Sequence, residues 1–140
     1  MRFTLLTLPV ALLATAASSH TIDCWGKGLH PPIKSVDYIT SLMDQVTSGR
    51  IDTLPGYSDR ESIYLDADSC KELACFKGAQ VRWCSTRDST LKLHMQNIVD
   101  GLRSIRRECR EDGLDTVGGV LYQPDNWNII LQQEDACEGK

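Results

Sequence analysis

Residues 70–84, CKELACFKGAQVRWC, decide the fold of this chain. Two runs in this stretch, residues 72–76 and 80–85, are typical of β-strands, and the Lys77-Gly78 step between them is a turn signal. Three of the six cysteines fall within the same stretch. The sequence therefore predicts a β-hairpin here, and the role of its cysteines depends on how the two strands face each other.

The position of the turn determines which of these cysteines can pair. Facing residues of an antiparallel hairpin lie equally far from the turn centre, so a turn centred on Lys77 places Cys70 opposite Cys84. It places Cys75 opposite Ala79, several residues from Cys84 along a ladder that rises about 3.3 Å per residue. That separation exceeds the roughly 7 Å between Cα atoms that a disulfide spans. Geometry thus predicts a Cys70–Cys84 disulfide and leaves the partner of Cys75 open.

The first residues of the chain have the features of a secretory signal peptide. Arg2 supplies a positive charge, residues 3–13 are apolar, and small residues follow. The apolar run is shorter than the roughly 20 residues of a membrane-spanning helix. We therefore expect a signal peptide at residues 1–17 and one exported domain at residues 18–140, with no stable membrane anchor. An oxidising compartment then predicts three disulfides among the six cysteines, which are Cys24, Cys70, Cys75, Cys84, Cys109 and Cys137.

Net charge and spacing disfavour several classes of function. The chain has 15 Lys and Arg against 19 Asp and Glu, a formal charge of -4 that becomes -5 when Arg2 leaves with the signal peptide. An acidic domain is unlike a nucleic-acid binder, which gains affinity by neutralising phosphates. Neither Cys-x-x-Cys nor His-x3-His occurs, so no metal or other cofactor is expected. No pattern brings His20, His30 or His94 to a carboxylate or nucleophile, which favours a protein that is not an enzyme.

Hydrophobic spacing predicts two helices. Apolar residues three or four apart predict a first helix at residues 35–48, with Ser35 as its N-cap and Gly49 as its C-cap. Between residues 89 and 111 the apolar positions follow a strict four-three spacing, which predicts a second helix that Gly113 closes. Cys109 lies on the core-facing stripe of this second helix.

The remaining pattern predicts further strands. Residues 21–25 alternate as in a short strand, residues 62–66 indicate a short extended piece, and residues 116–122 and 127–133 indicate two strands joined by the QPDN turn. The predicted order is β-α-β-β-α-β-β, with about five strands. Trp25, Trp83 and Trp127 fall in these strands, where packing between sheet and helices is the usual role and a partner-binding aromatic surface is the alternative.

Five features together resemble the fungal killer protein 4 family, which comprises killer toxins and related small secreted effectors of plant-associated fungi. They are the signal peptide, the IDCWGKG opening, the LACFKG strand, the helix LKLHMQNIVDGLRSIRREC and the closing PDNWNIILQQEDAC. The shared motifs are Cys24 followed by Gly26, Ala74 followed by Cys75, and Cys109 at a helix end. The resemblance implies an α/β sandwich of the α+β class, in which an antiparallel sheet carries two helices on one face.

The resemblance also implies disulfides and a binding region. In that family, the first-strand cysteine bonds to the one at the end of the second helix, and the central-strand cysteine bonds to one near the C-terminus. The resemblance therefore implies the pairs Cys24–Cys109 and Cys75–Cys137 in this chain. The family's channel-blocking activity is associated with exposed basic residues near the central strands. The residues of this sequence in that region are Lys71, Lys77 and Arg82.

A run of arginines near the end of the second helix is a further candidate for binding. RSIRRECR places Arg103, Arg106 and Arg110 on one helical face, with Arg107 beside it. Such a face could bind an anionic headgroup, a nucleic acid or an acidic patch on a target protein. The alternative is a solvated helix flank, in which the helix dipole favours basic residues and neighbouring acids neutralise them.

The signal peptide predicts export, and the resemblance implies a killer-toxin-like protein, an effector or growth-inhibiting toxin that acts on host or competitor cells by binding a surface target. The expected partner is a cell-surface protein, with a calcium channel as one candidate, and the protein is expected to be a monomer. One alternative is a small secreted hydrolase such as a ribonuclease, which would need His30 or His94 beside a carboxylate and an arginine in a cleft. The other is a structural surface protein.

Overall fold

A computed structural model describes residues 19–24, 30–52 and 62–139 of the chain. Its elements are β1 (Thr21–Asp23), α1 (Ile33–Thr47), β2 (Ser62–Leu65), β3 (Ser69–Phe76), β4 (Ala79–Ser85), β5 (Leu91–His94), α2 (Met95–Cys109), β6 (Gly119–Gln123), β7 (Trp127–Gln133) and a short 3-10 helix (Asp135–Cys137). The predicted signal peptide and Trp25 lie outside the described residues. Within the described part, no helix is long and apolar enough to cross a membrane.

The main sheet has five antiparallel strands in the order β1-β6-β7-β4-β3. Alternate residues of β4 and β7 are buried, including Val81, Trp83 and Ile129, while those between them are mostly half-exposed. Both helices pack on the buried face. Two helices on one face of a five-stranded antiparallel sheet confirm the predicted α+β class.

Two of the three tryptophans have the predicted structural role. Trp83 has no exposed surface and Trp127 is 5% exposed. The indole Nε1 atoms of both are buried without a hydrogen-bond partner. Burial of these large rings at the sheet surface confirms their packing role, since each contributes a large apolar area to the core.

The first helix starts earlier than its sequence pattern predicts. Pro32 is the N-cap, and its carbonyl oxygen accepts hydrogen bonds from the N–H groups of Ser35 and Val36. The prediction of Ser35 as the N-cap was wrong, because Ser35 is buried inside the first turn and its hydroxyl donates to another segment. At the other end Ser48 is the C-cap, and Gly49 follows it with φ 73°. The prediction of Gly49 as the C-cap was therefore wrong by one residue, because Gly49 lies one position beyond the cap, where a left-handed residue is favoured.

The second helix is shorter than predicted. Residues 91–94 form β5, which pairs with β2 in a separate two-stranded sheet. Leu91 fits the helical stripe that continues at Met95 and Ile98, but its alternation with Leu93 also fits a strand, and the available partner strand decides between the two. At the other end Arg110 is extended, so the helix stops at Cys109 and Gly113 belongs to a later turn. The extended piece predicted near residue 62 is confirmed as β2.

The hairpin register differs from the prediction at its tip. Lys77 and Gly78 both have positive φ, 40° and 81°, and form a two-residue turn. Cys75 therefore faces Gln80, and the prediction that it faces Ala79 was wrong. A β-bulge at Leu73 then moves the register by one residue.

The predicted partner of Cys70 is nevertheless correct. The turn is centred half a residue beyond Lys77, and the bulge shifts the ladder back by one residue, so that Cys70 faces Cys84. The structure also contains the other two predicted disulfides, Cys24–Cys109 and Cys75–Cys137, and no cysteine is free. The two cysteines of a bond are separated in sequence by 85 positions in Cys24–Cys109, by 14 in Cys70–Cys84 and by 62 in Cys75–Cys137.

Candidate functional site

The turn between β3 and β4 places a lysine where the backbone disfavours it. Type I′ hairpin turns need positive φ at both central residues, and Asn, Asp and Gly are therefore preferred there. Gly78 meets that need at the second position, but Lys77 occupies the first position with φ 40°. A lysine in the left-handed region costs about 1 kcal/mol or more in the folded state. Backbone strain of this kind often occurs at functional positions.

Three connections hold this turn in place. The Ser35 hydroxyl of α1 donates to the Lys77 carbonyl oxygen at 3.0 Å. The Glu134 N–H donates to the Gly78 carbonyl oxygen at 2.9 Å. The Cys75–Cys137 disulfide joins the C-terminal 3-10 helix to the strand two residues before Lys77. Because these contacts come from different segments, the tip has little freedom to move relative to the sheet and α1.

An aromatic pair lies beside the turn. Tyr38 of α1 stacks on Phe76 with ring centroids 4.2 Å apart and an angle of 25° between the planes. The Lys77 Nζ atom lies 5.4 Å from the centroid of the Phe76 ring, within the range of a cation–π interaction. Tyr38 remains 50% exposed although Phe76 covers part of it. Lys34, one helical turn before Tyr38, is also exposed.

We call Lys34, Tyr38, Phe76 and Lys77 the tip surface. Among the residues that the structure describes, neither Lys34 nor Lys77 forms a salt bridge. Glu138 borders the turn, where its Oε1 atom lies 3.9 Å from the position that a Cβ atom on Gly78 would occupy. The tip surface therefore combines two exposed ammonium groups with a half-exposed aromatic ring, and it can bind an anionic group that also offers an apolar contact.

The structure separates the three basic residues predicted near the central strands. Lys71 is exposed and faces Trp83 across the ladder, which places it on the helix side of the sheet. Arg82 is half-buried between Glu72 and Ile130 on the opposite side. Lys77 lies at the end of the hairpin. Only Lys77 of the three belongs to the tip surface.

The arginines of α2 are mostly engaged with α1. Arg103 Nη2 lies 2.9 Å from Asp44 Oδ1, and Arg106 forms two hydrogen bonds with Asp37. These contacts join the two helices across their exposed side. Arg110 at the C-cap is exposed and has no salt bridge to any residue of the described segments. The predicted arginine face is therefore mainly an interhelical connection.

The ion pair of Arg106 affects its protonation. Its hydrogen bond to Asp37 raises the pKa of Arg106 above the ordinary arginine value, in opposition to burial, and Coulomb attraction adds to the rise. A raised pKa in the folded state stabilises the fold below the arginine pKa of the unfolded chain for as long as the Asp37 carboxylate is ionised. This contribution is lost as the pH rises through the raised pKa, so the arginine stays charged throughout the physiological range.

None of the three histidines lines the polar depression that the structure has between residues 86–88 and 125–126. His30 Nε2 donates to the carbonyl oxygen of Cys24 at 2.9 Å, while His94 is the exposed N-cap of α2. His20 precedes β1. The depression contains an arginine and carboxylates but no histidine, and its lining residues are Thr86, Arg87, Asp88, Asp125 and Asn126.

One group of side chains has the proximity of a metal site but not its chemistry. The ligand atoms of Glu72, Cys75 and Cys137 lie within 4.8 Å of one another. The two sulfur atoms are bonded to each other, so neither is a thiolate that could bind a metal. A single carboxylate remains, and the geometry is that of a disulfide beside an acidic side chain.

The sequence pattern did not reveal the aromatic part of the tip surface. Tyr38 lies between the buried positions Val36 and Ile39 of α1 and off their apolar stripe. An aromatic residue on the polar side of an amphipathic helix is the signal that could have identified it. Its contact with Phe76 depends on how α1 crosses the hairpin, which the local sequence does not encode.

Comparison with protein-family models matches no family to this chain, and comparison with curated proteins finds no significant match. The likeness to the killer protein 4 family therefore stays a prediction that rests on the sequence motifs.

Proposed function

We propose that this protein is exported and acts as a killer-toxin-like effector or growth-inhibiting toxin, by binding a target on host or competitor cells and not by catalysis. The single observation that supports this most directly is Lys77, an exposed lysine held in a strained backbone conformation on a fixed hairpin tip. A residue that opposes the local turn preference has a cost in stability, and a binding role for its side chain accounts for that cost.

The chemistry of the tip surface indicates an acidic partner. A lysine ammonium donates up to three hydrogen bonds and binds carboxylates. Because the turn is already fixed, little conformational entropy is lost when the tip binds. Cation channels carry rings of Asp and Glu at their selectivity sites. A cation channel, including a calcium channel, is therefore one candidate among cell-surface proteins, and the binding form is a monomer.

The crosslinks support the proposal of export. Three disulfides with no free cysteine are typical of proteins that mature in an oxidising compartment. The predicted signal peptide at residues 1–17 gives the route. Expression of the full sequence in a secreting yeast tests this step, and we expect protein in the medium with an N-terminus near residue 18. Retention in the cell with the first residues uncleaved would contradict it.

Binding is tested with Lys77→Gln, which removes the charge and keeps most of the side chain. Lys92→Gln is the matched control, because Lys92 is also exposed and its Nζ atom lies 5.7 Å from the Tyr64 ring. Fluorescently labelled secreted protein is titrated onto plant and fungal cells, and growth is followed in parallel. We expect Lys77→Gln to weaken binding and growth inhibition about tenfold, the effect of about 1.4 kcal/mol, and Lys92→Gln to match the wild type. Equal behaviour of the two variants would refute the role of the tip.

A further inference from the structure

The three disulfides differ in how far solvent can reach them. Cys70 is exposed, and its partner Cys84 is 8% exposed. In the other two bonds one cysteine is half-buried and the other is buried, with Cys109 4% exposed and Cys137 fully covered. Attack by a thiolate on a disulfide depends on access to the sulfur. Cys70 is therefore the most exposed of the six cysteines, and we expect an external thiol to reach its bond most easily.

The fold depends least on this same bond. It closes a segment only 14 residues long, against 85 and 62 for the others, and crosslinks that close shorter segments remove less entropy from the unfolded chain. Ladder pairs lie on both sides of it, and β4 also pairs along its whole length with β7. Opening the bond frees at most the edge of β3 from Ser69 to the bulge at Leu73. The tip remains held by Cys75–Cys137.

We propose that Cys70–Cys84 is a thiol–disulfide exchange site, at which an external low-molecular-weight thiol of the glutathione type forms a mixed disulfide with Cys70. The thiolate attacks Sγ of Cys70, a new S–S bond forms, and the Cys70–Cys84 bond breaks. The electron pair leaves on Sγ of Cys84, which takes a proton from water. A second thiolate can attack the mixed disulfide and release Cys70 as a thiol, so that two external thiols are oxidised to their disulfide and the protein gains two electrons.

Access, more than charge, selects this site. The next pair of facing residues on the same side of the sheet is Glu72 with Arg82, so the neighbouring ladder position brings one charge of each sign and favours neither protonation state of a thiol by its net charge. Cys70 lies on an edge strand, while Cys84 lies on β4 between two strands. The adduct is therefore expected on Cys70, with Cys84 as the released thiol.

The test uses the fully oxidised protein and reduced glutathione at pH 8, with alkylation of free thiols at timed points and peptide mass spectrometry. We expect glutathione on Cys70 and an alkylated Cys84 about tenfold sooner than any modification of the other four cysteines. Near-ultraviolet circular dichroism should remain that of the folded protein. Opening of another bond first or at the same rate, an adduct mainly on Cys84, or loss of the fold together with the adduct would overturn the proposal.

A double variant provides the control. Cys70→Ser with Cys84→Ser should fold, retain the other two bonds and form no adduct during the time in which the wild type is modified. If the double variant fails to fold, the bond is essential to the structure and the exchange site as proposed is wrong. If it folds and its remaining cysteines react as fast as Cys70 does in the wild type, access does not select the site.

Discussion

Replacing Gly101 with alanine tests how closely α2 packs on the main sheet. Gly101 is buried in the middle of this helix, where a Cβ atom would overlap Cδ1 of Ile129 and lie 3.6 Å from Cδ1 of Leu121. Both neighbouring residues are almost fully buried, with Ile129 0% and Leu121 1% exposed. Real Cβ atoms do not overlap other atoms in this way, so either Ile129 changes its rotamer or the helix moves away from β7.

Two opposing effects set the size of the change. Added atoms in a well-packed core cost about 1–3 kcal/mol. Alanine at a helix interior is more favourable than glycine by about 1 kcal/mol. The contact at Ile129 is severe and its surroundings are closed, which places the packing cost in the upper part of its range. We therefore expect Gly101→Ala to lower the free energy of unfolding by about 1–2 kcal/mol.

Equilibrium unfolding in urea without reductant measures this loss, and Ile129→Val supplies the control. Valine lacks the Cδ1 atom that meets the new methyl group, and by itself should cost about 0.5–1.5 kcal/mol. In the Ile129→Val background the clash is absent, so Gly101→Ala should then stabilise the protein through its helix propensity. A stabilising effect of Gly101→Ala in the wild-type background, or simple additivity of the two changes, would refute the packing argument.

Three further changes test other parts of the fold. Lys77→Asn should raise the free energy of unfolding by about 0.5–1 kcal/mol, because asparagine tolerates the positive φ of the turn; a loss of stability in urea would show that the cation–π contact outweighs the strain. Asp37→Asn should lower the free energy of unfolding by at most about 1 kcal/mol, since the side chains of Asp37 and Arg106 are 45% and 35% exposed and solvent screens the pair. This loss of stability should shrink in 1 M salt. A loss that salt leaves unchanged would contradict a screened ion pair. Cys75→Ser with Cys137→Ser should cost about 4 kcal/mol from the 62-residue separation, seen as a lower thermal midpoint without reductant; an unchanged midpoint would contradict the loop-entropy argument.

The local sequence was sufficient for the elements that its own periodicity defines. The buried stripe of α1, at Val36, Ile39, Met43 and Val46, follows the three-four spacing that predicts it. Residues 91–94 show where this fails, because Leu91 fits the helical stripe with Met95 and Ile98 and also alternates with Leu93 as in a strand. Only the pairing with β2, remote in sequence, selects the strand.

The arginines of α2 illustrate a second limit. Helical spacing correctly places Arg103 and Arg106 on neighbouring turns, but their role depends on what the facing helix presents. Asp37 and Asp44 occupy α1 at the positions that meet them. A charge pattern read along one helix cannot distinguish an open binding face from an interhelical ion pair, because the difference lies in the packing angle and register of two helices.

The bulge at Leu73 connects the fold to the candidate site. Without the bulge, the register of residues 69–72 would continue to the turn. Residues 74–76 would then be shifted by one position, and their side chains would lie on the opposite faces of the sheet. With the bulge, Cys75 faces Gln80 on the side away from the helices, where Cys137 meets it, and Phe76 faces Ala79 on the helix side, where Tyr38 stacks on it. A single extra residue in one strand thus orients both Cys75 toward Cys137 and Phe76 toward Tyr38.

The same bulge explains why a simple count from the turn finds the right partner for Cys70. The sequence indicates a turn centred on Lys77, but the two left-handed residues Lys77 and Gly78 place its centre half a residue later. The bulge then shifts the pairing of residues 69–72 with β4 back by one residue. Burial of Leu73, 6% exposed, stabilises that insertion, since its side chain joins the core. The hairpin tip and the Cys70–Cys84 bond therefore lie on separate halves of β3. Thiol exchange at Cys70–Cys84 should for this reason leave the tip surface intact.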